Sequence, residues 1–157
     1  MDSIRYSKFF LHASFLAVNP ENGYIKAYVG GPDIRYFKYD RVIRQKRQVG
    51  STIKPFIYTI ALNNGGSPCD RILNSPVIFE LPNGKLYTPQ NDETTEYDNE
   101  LVTLTYGLAH SVNNVVAALF QQQQYKPLID LLRELGVKSN IPDVPSICLG
   151  TPEFSVA

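Results

Sequence analysis

Gln48–Leu62 reads QVGSTIKPFIYTIAL, and the rest of the chain is understood from it. Ile53, Phe56, Ile57 and Ile60 recur at helical spacing, so the stretch is predicted to be a helix opening near Gly50-Ser51. Ser51 and Lys54 then stand one turn apart on one edge of that helix. A serine hydroxyl is a weak nucleophile until a neighbouring base takes its proton. A lysine can be that base only where burial or other cations bring its pKa toward neutrality. Gly50 would let another backbone or a substrate come close, the helix N-terminus would favour a developing alkoxide, and Pro55 is tolerated this early in a helix. The bland alternative makes Ser51 an N-cap and leaves Lys54 in water, and the Ser-x-x-Lys spacing alone does not choose between them.

Upstream, NPENGYIKAYVGG follows an apolar run. Pro20 and Gly23 suit a short loop between strands at Ala13–Val18 and Tyr24–Val29, a hairpin. RYSKFFLHASFLAV has the basic lead and apolar run of a secretory leader, though His12 and Ser14 interrupt it. No run reaches the ~18 apolar residues of a membrane span. The segment DIRYFKYDRVIRQKRQ has no clean period and reads as an extended approach to the Ser51 helix, with Arg41, Arg44, Lys46 and Arg47 as solvated surface.

Downstream, Asn63–Glu100 is rich in Pro, Gly, Asn and Asp and reads as loop with small strands, including an exposed hairpin around Asn83-Gly84. Helical patterns then return. Thr103 is a candidate N-cap, NVVAALFQQQQY resumes the apolar spacing after a break at HSVNN, and KPLIDLLRELG places Pro127 in a first turn and ends at Gly136. The class is α+β: an N-terminal β-hairpin followed by a mostly helical region.

Composition limits what these elements can mean. At 157 residues, 43% hydrophobic and 19% charged, the chain has an ordinary globular balance. Fifteen basic residues against fifteen acidic ones leave no net charge, which argues against nucleic acid or an anionic membrane as partner. Cys69 and Cys148 form no metal or disulfide pattern and read as buried thiols or one bridge; no metal or cofactor is expected.

The second chemical motif is SVN, Ser111–Asn113, in the break between helical patterns. Its bland reading is a C-cap followed by an N-cap at Asn113 or Asn114. Its active reading is a loop whose hydroxyl relays protons near the lysine and whose amide holds a peptide.

In this order, the motifs resemble a known family. RQVGSTIKPFIYTIAL looks like the nucleophile helix of the transpeptidase domain of class A penicillin-binding proteins, the bifunctional enzymes that cross-link peptidoglycan. FLAVNPENGYIKAYVGG resembles its opening hairpin, LVTLTYGLAHSVNNVVAALF its Ser-x-Asn segment, and LRELGVKSNIPDVPSICLGTPEFS the Leu-Gly stretch beyond it. The resemblance implies the penicillin-binding protein/β-lactamase-like fold. It also implies roles: Ser51 as nucleophile, Lys54 as its base, Ser111 as proton relay to the leaving amine, and Asn113 as binder of the substrate backbone and holder of Lys54. Substrates would be peptidoglycan stem peptides ending in D-Ala-D-Ala, and β-lactams would acylate the same serine. The full-length protein would act at the periplasmic or outer face of the cytoplasmic membrane, attached through an N-terminal anchor not seen here.

The family's third motif, Lys-Thr-Gly or Lys-Ser-Gly, does not occur in these residues. The chain is therefore expected to be part of a transpeptidase domain, with an incomplete and inactive site on its own. A class A β-lactamase is the alternative enzyme, but neither Glu134 nor Glu153 sits in that family's Glu-x-x-Leu-Asn setting. A non-catalytic module binding peptidoglycan or a partner protein is the other.

Overall fold

The computed structural model describes residues 11–91 and 97–157, so the first part of the leader reading, residues 5–10, lies outside it. The chain divides into two units, one of residues 48–153 and one of residues 11–47 with 154–157.

In the smaller unit, β1 (Phe15–Val18) and β2 (Ile25–Val29) pair antiparallel, with Phe15 opposite Val29 and Leu16 opposite Tyr28. Both strands start one or two residues later than their composition suggests. The loop closes through Asn19 N–H to Tyr24 O and Gly23 N–H to Asn19 O, both 2.9 Å, with Gly23 at φ 72° where a side chain would be strained. The segment after the hairpin, read from its lack of period as extended, is extended only at its end, where Arg47–Gln48 form a two-residue strand; before that it is built of turns. Asp33 and Asp40 each start a turn, since Asp33 O accepts from Phe37 N–H at 2.8 Å and Asp40 Oδ1 accepts from Val42 N–H at 2.9 Å. An aspartate that bonds its own backbone two residues on substitutes for a regular ladder. Arg44, Lys46 and Arg47 are exposed, and Arg41 is half-buried.

In the larger unit a 3-10 turn, Gly50–Ile53, runs directly into α1 (Lys54–Asn63). Strands β3 (Arg71–Leu73) and β6 (Leu101–Thr103) pair antiparallel across the loop-rich region, and β4 (Phe79–Glu80) and β5 (Leu86–Tyr87) form the hairpin around Gly84. Then follow α2 (Leu104–Ala109), α3 (Asn113–Gln123), α4 (Lys126–Glu134) and a second 3-10 turn, Pro145–Leu149. Thr103 caps α2 as expected, its Oγ1 accepting from Tyr106 N–H at 3.1 Å, and Pro127 lies in the first turn of α4.

The apolar stripe of the opening stretch forms the centre of this unit. Ile53 and Ile57 are fully buried, with Val115, Val116, Ala117 and Ile147, and Phe120, Leu128 and Leu132 nearly so. Each of the valine, leucine, isoleucine and phenylalanine side chains contributes about 1.5–3 kcal/mol when removed from water. Gly107 lets α2 come close to both neighbours, because a Cβ there would lie 2.6 Å from the Tyr58 hydroxyl and from Val115 Cγ1. The fold is α+β, as the sequence predicts.

Candidate active site

Ser51 is exposed in the second position of the 3-10 turn, and Lys54, first residue of α1, is 1% exposed. The tighter turn changes the start of the helix. The residue before it, Val49, makes no side-chain cap, and neither does Ile53 before α1. Ser51 is thus no N-cap and Lys54 is not in water, which removes the bland reading of the motif.

Lys54 crosses the core to the break between α2 and α3. Its Nζ donates to Ser111 O at 2.5 Å, Ser111 Oγ at 2.8 Å and Asn113 Oδ1 at 2.6 Å. These three acceptors are all neutral oxygens, matched to a group that only donates. Ser111 Oγ in turn donates to Ser51 Oγ at 3.1 Å. The Ser111 hydroxyl therefore bridges the exposed serine and the buried lysine, and all four residues predicted from sequence come together at one place.

Ser111 reaches this position by a backbone conformation uncommon for a side-chain-bearing residue, φ 54°. Asn113 does not cap α3, nor does Asn114; the cap position is Val112, which has no side-chain oxygen to offer. The reason is recruitment elsewhere. Asn113 holds Lys54 with its oxygen and donates Nδ2 to Gln90 O at 2.8 Å, while Asn114 donates Nδ2 to Asn74 Oδ1 at 3.1 Å. A first-turn donor of α3 that a local cap would satisfy, Asn114 N–H, goes instead to Asn91 Oδ1 at 3.0 Å. Sequence reasoning missed Asn74, Gln90 and Asn91, which look like ordinary loop residues.

Two further groups shape the site. Gly50 N–H donates to Gly150 O at 2.9 Å and Val49 N–H to Pro152 O at 3.0 Å, so the Leu-Gly stretch straps the entry to the Ser51 turn. Cys148 is fully buried; burial pushes its thiol up to about 12 against the opposing pull of the Lys54 charge, and it stays a neutral thiol. Cys69 is exposed, and both cysteines are free. Among the described residues no three His, Cys, Asp or Glu side chains converge as metal ligands, and no described helix is long and apolar enough to cross a membrane.

The Penicillin binding protein transpeptidase domain family matches residues 13–144. The chain belongs to the penicillin-binding protein transpeptidase family. Its likeness is to class A members: it is 33% identical to penicillin-binding protein 1A of Aquifex aeolicus over 92% of this chain and 20% of that protein. It is 31% identical to penicillin-binding protein 2D of Bacillus subtilis over 90% of this chain and 20% of that one. The crystal structure of penicillin-binding protein 1A from Haemophilus influenzae superposes with a TM-score of 0.82 at 29% identity, covering 92% of this chain and 21% of that one. The chain thus spans about a fifth, 20%, of the length of these curated relatives. The α+β fold of the family's transpeptidase domains is the fold described above.

Proposed function

We propose that residues 1–157 are part of a D-alanyl-D-alanine transpeptidase domain and hold its acylation machinery, with Ser51 as nucleophile, Lys54 as base, Ser111 as relay and Asn113 as the residue that orients Lys54 and meets the substrate backbone. The observation that carries this reading is the unbroken chain from Ser51 Oγ through Ser111 Oγ to Lys54 Nζ, 3.1 and 2.8 Å.

With Lys54 protonated, that chain runs outward, lysine to Ser111 to Ser51. With Lys54 neutral it reverses: Ser51 donates to Ser111, Ser111 to Lys54, and proton transfer along it leaves an alkoxide at Ser51 and an ammonium at Lys54. The alkoxide attacks the carbonyl between the two terminal D-alanines of a stem peptide. The tetrahedral intermediate collapses, the C–N bond breaks, and the departing D-alanine amine takes a proton back through Ser111. An amine from a neighbouring stem then displaces Ser51 from the acyl-enzyme. A β-lactam would acylate Ser51 in the same way, and its tethered leaving group slows release. The whole protein would work at the periplasmic or outer face of the cytoplasmic membrane.

The Lys-Thr-Gly or Lys-Ser-Gly motif that completes such a site is not among these residues. By the resemblance, the strand carrying that motif supplies one of the two backbone N–H donors of the oxyanion hole, and losing one such donor costs about 10²–10³ in rate. The 157-residue chain alone is therefore proposed to be inactive. The test is labelling by a fluorescent penicillin, comparing this chain, a version completed through the third motif with the corresponding segment of a class A relative, and Ser51→Ala in that version. Stable labelling of the completed version alone is expected. Labelling of the Ser51→Ala variant at the native rate would sink the assignment.

A further inference from the structure

Behind Asn113 lies a cluster of asparagines that the proposed chemistry does not use. Asn74, fully buried, presents Oδ1 to two donors, Asn91 Nδ2 at 3.2 Å and Asn114 Nδ2 at 3.1 Å. Its own Nδ2 donates to Tyr97 O at 3.0 Å and Asp98 Oδ1 at 3.3 Å. Asn91 Oδ1 receives Asn114 N–H at 3.0 Å, and the adjacent Gln90 O receives Asn113 Nδ2 at 2.8 Å. Two consecutive pairs, Gln90-Asn91 and Asn113-Asn114, are thereby clamped together twice, and Asn74 ties both sides.

The clamp matters because an amide can lie two ways. A lysine ammonium only donates and a peptide carbonyl only accepts, so Asn113 must turn Oδ1 to Lys54 and Nδ2 to Gln90 O. Rotated by half a turn, it would set donor against donor and acceptor against acceptor. The position of Gln90 O therefore selects the rotamer of Asn113, and Asn91 with Asn74 holds Gln90 in position. Asn114 shows where the arrangement is compromised: its Oδ1 is buried with no partner among the described residues, a cost accepted while its NH2 stays on Asn74.

We infer that Asn91 and Asn74 are positioning residues for the proposed acylation, acting through Gln90 O to keep the Asn113 amide turned toward Lys54. This rests on the function proposed above.

The test is a double-mutant cycle in the completed transpeptidase domain, with the acylation rate constant and the non-covalent affinity for a fluorescent penicillin measured separately. Asn91→Ala is expected to slow acylation about 10-fold or more, since misplacing a group by about 1 Å can cost about 10²-fold, with affinity changed less than about 3-fold. In an Asn113→Ala background the same change is expected to cost less than about 3-fold, because its target is gone. Equal losses in both backgrounds would overturn the inference and leave Asn91 a structural residue. Asn114→Ala, which removes one tie to Asn74 but keeps the backbone bond to Asn91, is carried in parallel and read the same way should Asn91→Ala fail to fold. Native-rate labelling of Ser51→Ala in the same experiment would overturn the functional reading, and the inference with it. Additive losses alongside loss of labelling in Ser51→Ala would overturn the inference alone.

Discussion

Gly150 and Gly50 touch backbone to backbone: a Cβ on Gly150 would stand 2.5 Å from the Gly50 nitrogen and closer still to its carbonyl oxygen. Both residues have positive φ, 74° and 58°, and the contact lies at the first residue of the turn that exposes Ser51. The sequence suggested that Gly50 permits a close approach; the approaching backbone is that of Gly150.

Gly150→Ala is accordingly expected to destabilise the larger unit by about 3 kcal/mol or more, from the left-handed backbone and the clash together. Thermal or urea unfolding measures it. An alanine variant as stable as the parent would mean that the two segments separate freely.

Lys54→Arg is expected to reduce penicillin acylation in the completed domain by at least about 10²–10⁴-fold, because a guanidinium holds its proton at any working pH and cannot act as base. The three oxygens around Nζ lie at 2.5–2.8 Å with no room for the larger group, so a stability loss of about 1–3 kcal/mol is also expected. Stopped-flow acylation and unfolding curves separate the two effects, and retention of most activity would remove Lys54 from the role of base.

Tyr28 and Asp40 give a pH dependence whose sign is fixed. The Tyr28 hydroxyl donates to Asp40 Oδ2 at 2.5 Å, and this bond, aided by the Ile43 and Val42 amides and the Arg44 charge, holds the carboxyl below its ordinary value. The stabilisation is therefore complete above the ordinary carboxylate range, near about pH 4, and is lost as pH falls through the lowered folded value. Carboxyl NMR titration should show Asp40 moving up toward its ordinary pKa in Tyr28→Phe. An unmoved titration would mean that the pair does not form in solution.

The two thiols should differ sharply in reactivity. Cys69 is exposed, whereas Cys148 is fully buried with its thiol pushed up to about 12, so at neutral pH almost none of it is thiolate. Dithionitrobenzoate is expected to release one equivalent from the folded chain and a second only on unfolding. Two fast equivalents would show that the packing around Cys148 opens readily.

The legible part of this protein was its local part. Ser51 and Lys54 share one turn, so their proximity follows from helical spacing, and Thr103, Pro127 and Gly136 mark helix ends by chemistry confined to a few residues. Ser111 and Asn113 were recognisable as a motif, but their meeting with Lys54 is tertiary. Asn74, Gln90 and Asn91 left no readable signal, because such residues in a Pro-rich loop ordinarily mean turns, and Gly150 was legible as part of the Leu-Gly stretch but not as the neighbour of Gly50. The bland reading of Asn113 or Asn114 as the cap of α3 fails for the same reason: both are good local caps, but distant partners take their side chains and the cap position is Val112. Within Asp33–Gln48, read as extended, only Arg47–Gln48 is a strand; the earlier part is turns, set by single aspartates and not by a period.

The non-local capping of α3 bears on how the chain folds. Asn91 and Asn114 are 23 residues apart, Asn74 and Asn114 are 40, and Lys54 and Asn113 are 59. Each bond closes a loop whose entropy must be overcome before the contact returns anything, so these bonds form after the short-range helices. Until they form, the first turn of α3 lacks its cap and Lys54 lacks its acceptors. Ser51, the proposed nucleophile, is therefore coupled to Lys54 only after these long loops close, and a partly folded chain lacks the Ser51–Ser111–Lys54 connection.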